Sequence, residues 1–226
     1  MARMFAPEAI ARAEVGEREQ SEQAAQERRN RVFTAARAFW VERGRRYKGC
    51  SFDNYLADTI EQRHVIARLK KYAAELDRML ELGTGIVLLG PAGTGKDHLL
   101  AALAAHALAA GLSVKWTSGA KLWCRFRDNI GSDRSESGVI SEYIQPQILI
   151  LSDPVPVIGD LSPFQRATLY QIVDARYNDC KPIWAAFNAS DAQEVERAIG
   201  VPILDRLRDG AVSLACNWRS FRRALK

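Results

Sequence analysis

Five short apolar runs punctuate the second half of the chain: Ile86 to Leu89, Ser113 to Trp116, Gln147 to Leu151, Pro182 to Phe187 and Ala211 to Ala215. Each has the length of a strand. Between them lie stretches with helical spacing of apolar residues, roughly 95–110, 118–130, 162–178 and 191–209. Strands alternating with helices predict an α/β fold, a doubly wound parallel five-stranded sheet with helices on both faces.

Upstream the pattern is helical only. A helix is expected from about Thr59 to Leu82, with Ile60, Val65, Ile66, Leu69, Tyr72, Leu76, Met79 and Leu80 as its apolar positions, ending at Gly83-Thr84-Gly85. Residues 8 to about 43 predict one long helix, because Gly16 is its only glycine and no proline follows Pro7. From Glu17 to Asn30 it is almost wholly polar, and Val32, Phe33, Ala36, Phe39 and Trp40 then form an apolar cluster. A polar rod ending in an aromatic face suits either a partner-binding arm or a helix packed on its own domain. Gly44 and Gly49 bracket a basic turn, and Ser51 to Tyr55 reads as a docking loop. The expected organisation is an N-terminal helical arm over 1–50, a linker and helix over 51–85, and a core over 86–226.

Composition narrows the class. With 226 residues, 47% of them hydrophobic, the chain suits one globular domain plus a smaller attachment and is too apolar for wholesale disorder. No run of about 18 apolar residues exists, so no membrane span is expected. Met1 is followed by Arg3, Pro7 and Glu8 rather than an apolar signal, and a cytoplasmic protein is expected. Cys50, Cys124, Cys180 and Cys216 form no CxxC pair, which argues against zinc modules and disulfide scaffolds. The net charge of +5 favours an anionic partner. The excess sits at both ends: residues 1–50 hold eleven Lys/Arg against seven Asp/Glu, and residues 204–226 six against two.

One motif carries chemistry. Gly90-Pro91-Ala92-Gly93-Thr94-Gly95-Lys96 matches G-x4-G-K, after a predicted strand and before a predicted helix. Glycines let backbone N–H groups face phosphate oxygens, the helix N-terminus adds a favourable dipole, and Lys96 reaches the β and γ phosphates. ATP is the expected ligand, with Mg²⁺. The next position normally supplies a hydroxyl to Mg²⁺, yet here it is Asp97, which can ligate the ion but sets negative charge beside phosphate. A second acidic element is expected at the end of the strand that runs to Leu151, where the pair reads Ser152-Asp153 or Asp153-Pro154. Either way one carboxylate is missing. Asp97 and Asp153 are the candidate metal ligands.

Gly93-Thr94-Gly95-Lys96-Asp97-His98-Leu99 resembles the phosphate loop of DnaC-type replicative helicase loaders, which are AAA+ ATPases. The resemblance continues through Gln171 to Tyr177, Lys181-Pro182, Asn188 and Leu204 to Arg208. It closes with Asn217-Trp218-Arg219-Ser220-Phe221-Arg222, its most specific element, and covers roughly 45–226. It implies an AAA+ core without the C-terminal helical lid, and adds His98 to the nucleotide site. It also implies that Asn188 is the polar residue that helps position water at the γ-phosphate, and Arg206 an arginine finger acting on a neighbouring subunit's nucleotide, with Arg208 a lesser candidate. The partners implied are a replicative helicase hexamer, single-stranded DNA and further copies of the chain. Lys115, Trp116, Lys121, Trp123, Arg125, Phe126 and Arg127 interleave cations with aromatics, a pattern suited to single strands, and Arg125 and Arg127 are the candidate DNA contacts. Asp97 and the incomplete acidic pair depart from the family. They leave room for weak hydrolysis, or for a non-hydrolysing adaptor on the same scaffold. A transposition ATPase resembling IstB shares the core. A small-molecule kinase fits poorly, since no Arg-rich substrate lid is visible.

Overall fold

The computed structural model describes residues 7–131, 135–156 and 160–222. Strands β1 (Ile86–Leu89), β2 (Val114–Ser118), β3 (Ile148–Ser152), β4 (Ile183–Phe187) and β5 (Val212–Ala215) form one all-parallel sheet in the order β2-β3-β4-β1-β5. Each strand lies within two residues of its expected ends. Along the central strands successive residues face opposite layers. Ile86, Leu88, Ile148, Ile150, Trp184 and Ala186 join one core, whereas Val87, Leu149, Leu151, Ile183, Ala185 and Phe187 join the other. A parallel sheet covered on both faces has no wet side, hence the unbroken apolar runs.

The first layer holds the end of α1 (Pro7–Arg43), α2 (Ile60–Ala74), α3 (Leu76–Glu81) and α4 (Lys96–Ala109). Helix α4 lies between the sheet and the other two long helices, so Leu99 through Ala104 are all fully buried and the helix is apolar all round. The second layer holds α5 (Gly119–Asp128), α6 (Glu136–Ile144), α7 (Pro163–Asn178), α8 (Ala192–Ile199) and α9 (Val201–Arg208). Among the described residues no helix is long and apolar enough to cross a membrane.

Three features differ from the expected pattern. The helix expected over 59–82 divides at Glu75, whose ψ of 23° leaves the helical region. That over 191–209 divides at Gly200, whose φ of +96° reverses the chain just ahead of Pro202. Helix α6 was not anticipated: its segment is rich in Ser and Gly, and nine residues give too few turns for a clear period. Its start is nonetheless marked, since Ser135 Oγ accepts the Gly138 N–H. Full capping boxes, Thr59 with Gln62 and Ser162 with Gln165, open α2 and α7, each cap being worth about 1 kcal/mol.

The stretch over 51–85 is part of the packed body. Phe52 and Tyr55 are buried, and Tyr72 OH donates to Thr84 O while accepting from Trp184 Nε1. The end of α1 also docks: Phe39 is buried against Trp116, and Trp40 packs beside it. Phe33, 70% exposed, stays out of the core. The apolar cluster thus serves both readings, its later half the chain's own core and its earlier half the solvent.

Arg176, wholly buried on α7, is the main polar fastening of the second layer. Its guanidinium donates to the carbonyls of Tyr143, Ile144, Pro146, Gln147 and Pro182 at 2.8–3.1 Å, tying the end of α6 to the lead-ins of β3 and β4. Burial pushes its pKa down to about 9, against the pull of Asp179. Arg176→Ala should lower stability by about 3 kcal/mol or more, because each stranded carbonyl costs about 1–3 kcal/mol. The expected readout is a lower urea midpoint at unchanged m. Arg176→Lys should recover only part of the loss, because an ammonium has three donors.

Candidate nucleotide-binding site

The loop Gly90–Lys96 leaves the carboxyl end of β1 and Lys96 opens α4. Two glycines are required by their surroundings. Gly93 has φ +88°, and a Cβ there would lie 2.1 Å from Ser220 Oγ. Gly95 has φ +87°, and its Cβ would lie 2.7 Å from the Tyr55 ring. The carbonyl of Thr94 accepts from Tyr55 OH at 2.7 Å and from Trp218 Nε1 at 2.9 Å, and Gly93 O accepts the Phe221 N–H at 2.9 Å. The docking loop and the Asn217 to Arg222 element therefore hold the phosphate loop from two sides. Among the described residues no helix follows β5.

Beneath lies a cavity of about 300 Å³ whose lining includes Tyr47, Leu56, Lys96, Asp153, Asn188 and Arg222. Lys96 Nζ donates to Gly90 O (2.7 Å), Pro91 O (2.9 Å) and Asn188 Oδ1 (2.9 Å), neutral acceptors that a phosphate oxygen can replace. Burial lowers its pKa, and Asp153 leads the groups that draw it back up. Asn188, at the end of β4, also donates to Asp153 Oδ2 at 2.6 Å. It thus bridges the lysine and the acid. Loop, acid and amide meet outside the carboxyl ends of β1, β3 and β4, where the strand order reverses and ligands of such sheets bind.

The acidic pair resolves as Ser152-Asp153, since Pro154 turns away and its carbonyl accepts from Trp123 Nε1. Asp153 has φ +47°, a conformation non-glycine residues adopt at some cost, and is pinned there by its N–H to Ala186 O at 2.8 Å. Its Oδ1 is buried without a partner. Burial first and Asp97 second raise its pKa. Asp97 in turn accepts from Ser152 Oγ on Oδ1 (2.7 Å), and from Arg43 Nη2 (2.6 Å) and Tyr47 OH (3.2 Å) on Oδ2.

An orphaned buried carboxylate oxygen beside a second carboxylate is a donor set that fits Mg²⁺. That ion commonly takes one or two carboxylates, with phosphates and water completing its octahedron. No cluster of three or more His, Cys, Asp or Glu side chains competes among the described residues. Asp97 and Asp153 would hold the ion, and bound there it would neutralise β and γ phosphate charge.

The remaining expected residues have other partners or lie outside this cavity. His98 lines the cavity, but its Nε2 pairs with Ser51 O at 2.8 Å and its ring meets Tyr55 edge-on, so it braces the docking loop. Arg206 lies near Gly85 and Ile183, at the amino ends of β1 and β4, across the sheet from the phosphate loop. Its guanidinium binds Asp174 (2.8 Å), Tyr170 OH (2.9 Å) and Pro202 O (3.0 Å), whereas Arg208 is exposed and, among the described residues, unpaired. Arg125 is held by Glu142 through two hydrogen bonds. Arg127 is exposed on the rim of a second cavity, of about 900 Å³, that also touches Asp153 and Asn188. Trp116, Trp123 and Phe126 are buried. Sequence reasoning missed Arg43, Tyr47 and Tyr55 at this site, and Trp218 and Arg222 were legible only as part of the C-terminal motif.

The sequence profile of the family described as IstB-like ATP binding protein matches residues 20–226. The chain belongs to that family. The replicative helicase loader DnaC of Escherichia coli (strain K12) is 29% identical over 203 residues, 88% of this chain and 80% of the loader. DnaC of Buchnera aphidicola subsp. Acyrthosiphon pisum is 26% identical over 183 residues, 80% of this chain and 72% of its own length. The crystal structure of the DnaC helicase loader matches at TM-score 0.65 and 20% identity, covering 76% of this chain and 99% of that one. The replication initiator DnaA bound to AMPPCP and single-stranded DNA matches at TM-score 0.61 and 19% identity, covering 73% and 49%. These structures share the α/β fold of the chain.

In an IstB-like ATP-binding protein with this loop, Lys96 is the side chain expected to meet the phosphates. Lys96→Ala should abolish binding of a fluorescent ATP analogue in the presence of Mg²⁺ while the protein remains folded by circular dichroism. Unchanged affinity would place the nucleotide elsewhere.

Proposed function

We propose that this chain is an ATP-binding protein that loads a replicative hexameric helicase onto single-stranded DNA. The observation that carries this reading is the extent of the likeness to the loader DnaC. It spans 88% of the chain, more than residues 51–226 can supply, and so reaches into the N-terminal arm as well as the ATPase core. In this reading ATP and Mg²⁺ sit on Lys96, Asp97 and Asp153, with Asn188 orienting water at the γ-phosphate. The exposed part of α1 before Phe39, Phe33 included, grips the helicase. Arg127 contacts the DNA backbone, and Arg125 joins it only by leaving Glu142. Arg206 or Arg208 reaches a neighbouring subunit's nucleotide, a reading supported by Arg206 lying at the end of the sheet opposite the phosphate loop.

A non-hydrolysing adaptor is the second reading, favoured by Ser152 standing where the first carboxylate of the pair is expected and donating to Asp97. The two are separated by turnover with helicase and single-stranded DNA present.

Co-purification with the hexameric helicase of the same host tests the main reading. The full chain should bind it, and a chain lacking residues 1–34 should lose it while keeping ATP. Removing 1–50 is the wrong control, because it strips Phe39, Arg43 and Tyr47 from the core. Capture of a transposase in place of the helicase would support the transposition role instead.

Assembly has its own test. Arg208→Ala or Arg206→Ala protein mixed with Lys96→Ala protein should regain some ATPase activity, since each lacks a different half of a shared site. A finger in trans contributes roughly 10³–10⁵ in rate in well-studied NTPases. No recovery at any ratio of folded mutants would remove both arginines from the reaction.

A further inference from the structure

Arg43 is the last residue of α1, the helix that forms the arm. Its side chain is only 15% exposed and lies between two rings, its guanidinium carbon 3.6 Å from the centroid of Tyr47 and 3.9 Å from that of Trp116. Its Nη2 sits 2.6 Å from Asp97 Oδ2, and Tyr47 OH donates to the same oxygen. The carboxylate that follows the loop lysine is thus neutralised by a cation from the N-terminal arm, over a separation of 54 positions. Oδ2 of Asp97 thus serves the arm, while Oδ1 accepts from Ser152.

Mg²⁺ bonds oxygen at about 2.0–2.1 Å and binds in near-octahedral geometry. Oδ2 already accepts from a guanidinium and a phenol, and an ion held by Oδ1 would stand against the same Arg43 charge, so the two cations compete for one carboxylate. We propose that Arg43 is a built-in counter-ion of the nucleotide site, and that a magnesium–nucleotide takes its place and undocks the last turn of α1. The inference rests on ATP binding at the phosphate loop and adds how that site is regulated. The chain is arranged for such a movement. Gly44 and Gly49 flank the turn after Arg43 with φ of +94° and +87°, and nothing lies within 4 Å of where their Cβ atoms would be. The other polar ties of this turn are exposed, Glu42 with Lys115 at 3.4 Å and Glu42 O with Lys121 at 3.1 Å.

Linkage makes the effect reciprocal. What lifts the arm off the core, a helicase among other things, tightens magnesium–nucleotide binding, and a docked arm weakens it. Charge also fixes a reversal of sign. With the metal present, losing Arg43 removes a competitor. With the metal absent, it strips the counter-ion from Asp97 and leaves bare negative charge beside the phosphates.

The test uses the full chain and a non-hydrolysable ATP analogue, with binding and hydrogen exchange of residues 36–50 measured on the same samples. Arg43→Met, which keeps the apolar stem between the rings, should bind the analogue with Mg²⁺ more tightly, by about 5- to 150-fold if the coupling is of ordinary size. It should bind the analogue more weakly than wild type in EDTA. In wild type, amide protection over 36–50 should fall when analogue and Mg²⁺ are added together, but not with analogue in EDTA. Asp97→Asn should show low protection there without ligand and little further change on adding it. Full occupancy with unchanged or increased protection in wild type overturns the latch and leaves ATP binding standing. No binding under any condition overturns the ATP reading, and the latch with it.

Discussion

A carboxylate set directly after the loop lysine needs a cation, and much of the site is arranged around that need. Asp97 pairs with Arg43 at the end of the long helix, which Phe39 also anchors in the core, and Arg43 lies between the rings of Tyr47 and Trp116. The same negative charge helps keep Asp153 protonated to a higher pH than usual, although burial is the larger cause. A hydroxyl at this position would ask for none of this. The residue that departs from the family pattern is also the one that binds the N-terminal arm to the nucleotide site.

The sheet sets the frame in which those charges meet. Because all five strands run parallel, every loop that follows a strand opens at the same end, and β1 lies between β4 and β5. Lys96, Asn188 and Asp153 come from three strand ends, yet Asn188 reaches both others within hydrogen-bond distance. On the opposite face of the protein's second layer, Arg176 fastens loops from the other end of the sheet through carbonyls alone. A buried guanidinium without a carboxylate costs solvation, and five acceptors offset it.

The strands were legible because a sheet covered on both sides leaves short apolar runs, each set between stretches of helical spacing. The phosphate loop was legible because glycine spacing and a lysine are dictated by backbone approach to phosphate. Long-range partners were not. Arg43 is one of eleven cations in the first fifty residues, and nothing local separates it from those that face water. Arg125 and Arg127 look alike in sequence, and only the packing of α6 supplies Glu142 to one of them. Helix α6 itself escaped because nine residues rich in Ser and Gly carry too weak a period. Where chemistry fixes residue type at fixed spacing the sequence speaks; where a contact is made across tens of positions, the fold decides it.

The bond from Trp218 to Thr94 joins residues 124 positions apart, and it shapes the loop that would receive the nucleotide. During synthesis the phosphate loop emerges long before the segment that completes its wall. A nascent chain carrying β1 and α4 therefore has the motif without the pocket. ATP meets the complete wall of its pocket only after residues 217–222 have been made. Occupancy of the site thus reports a finished core, and a chain broken off before β5 ends carries the motif silently.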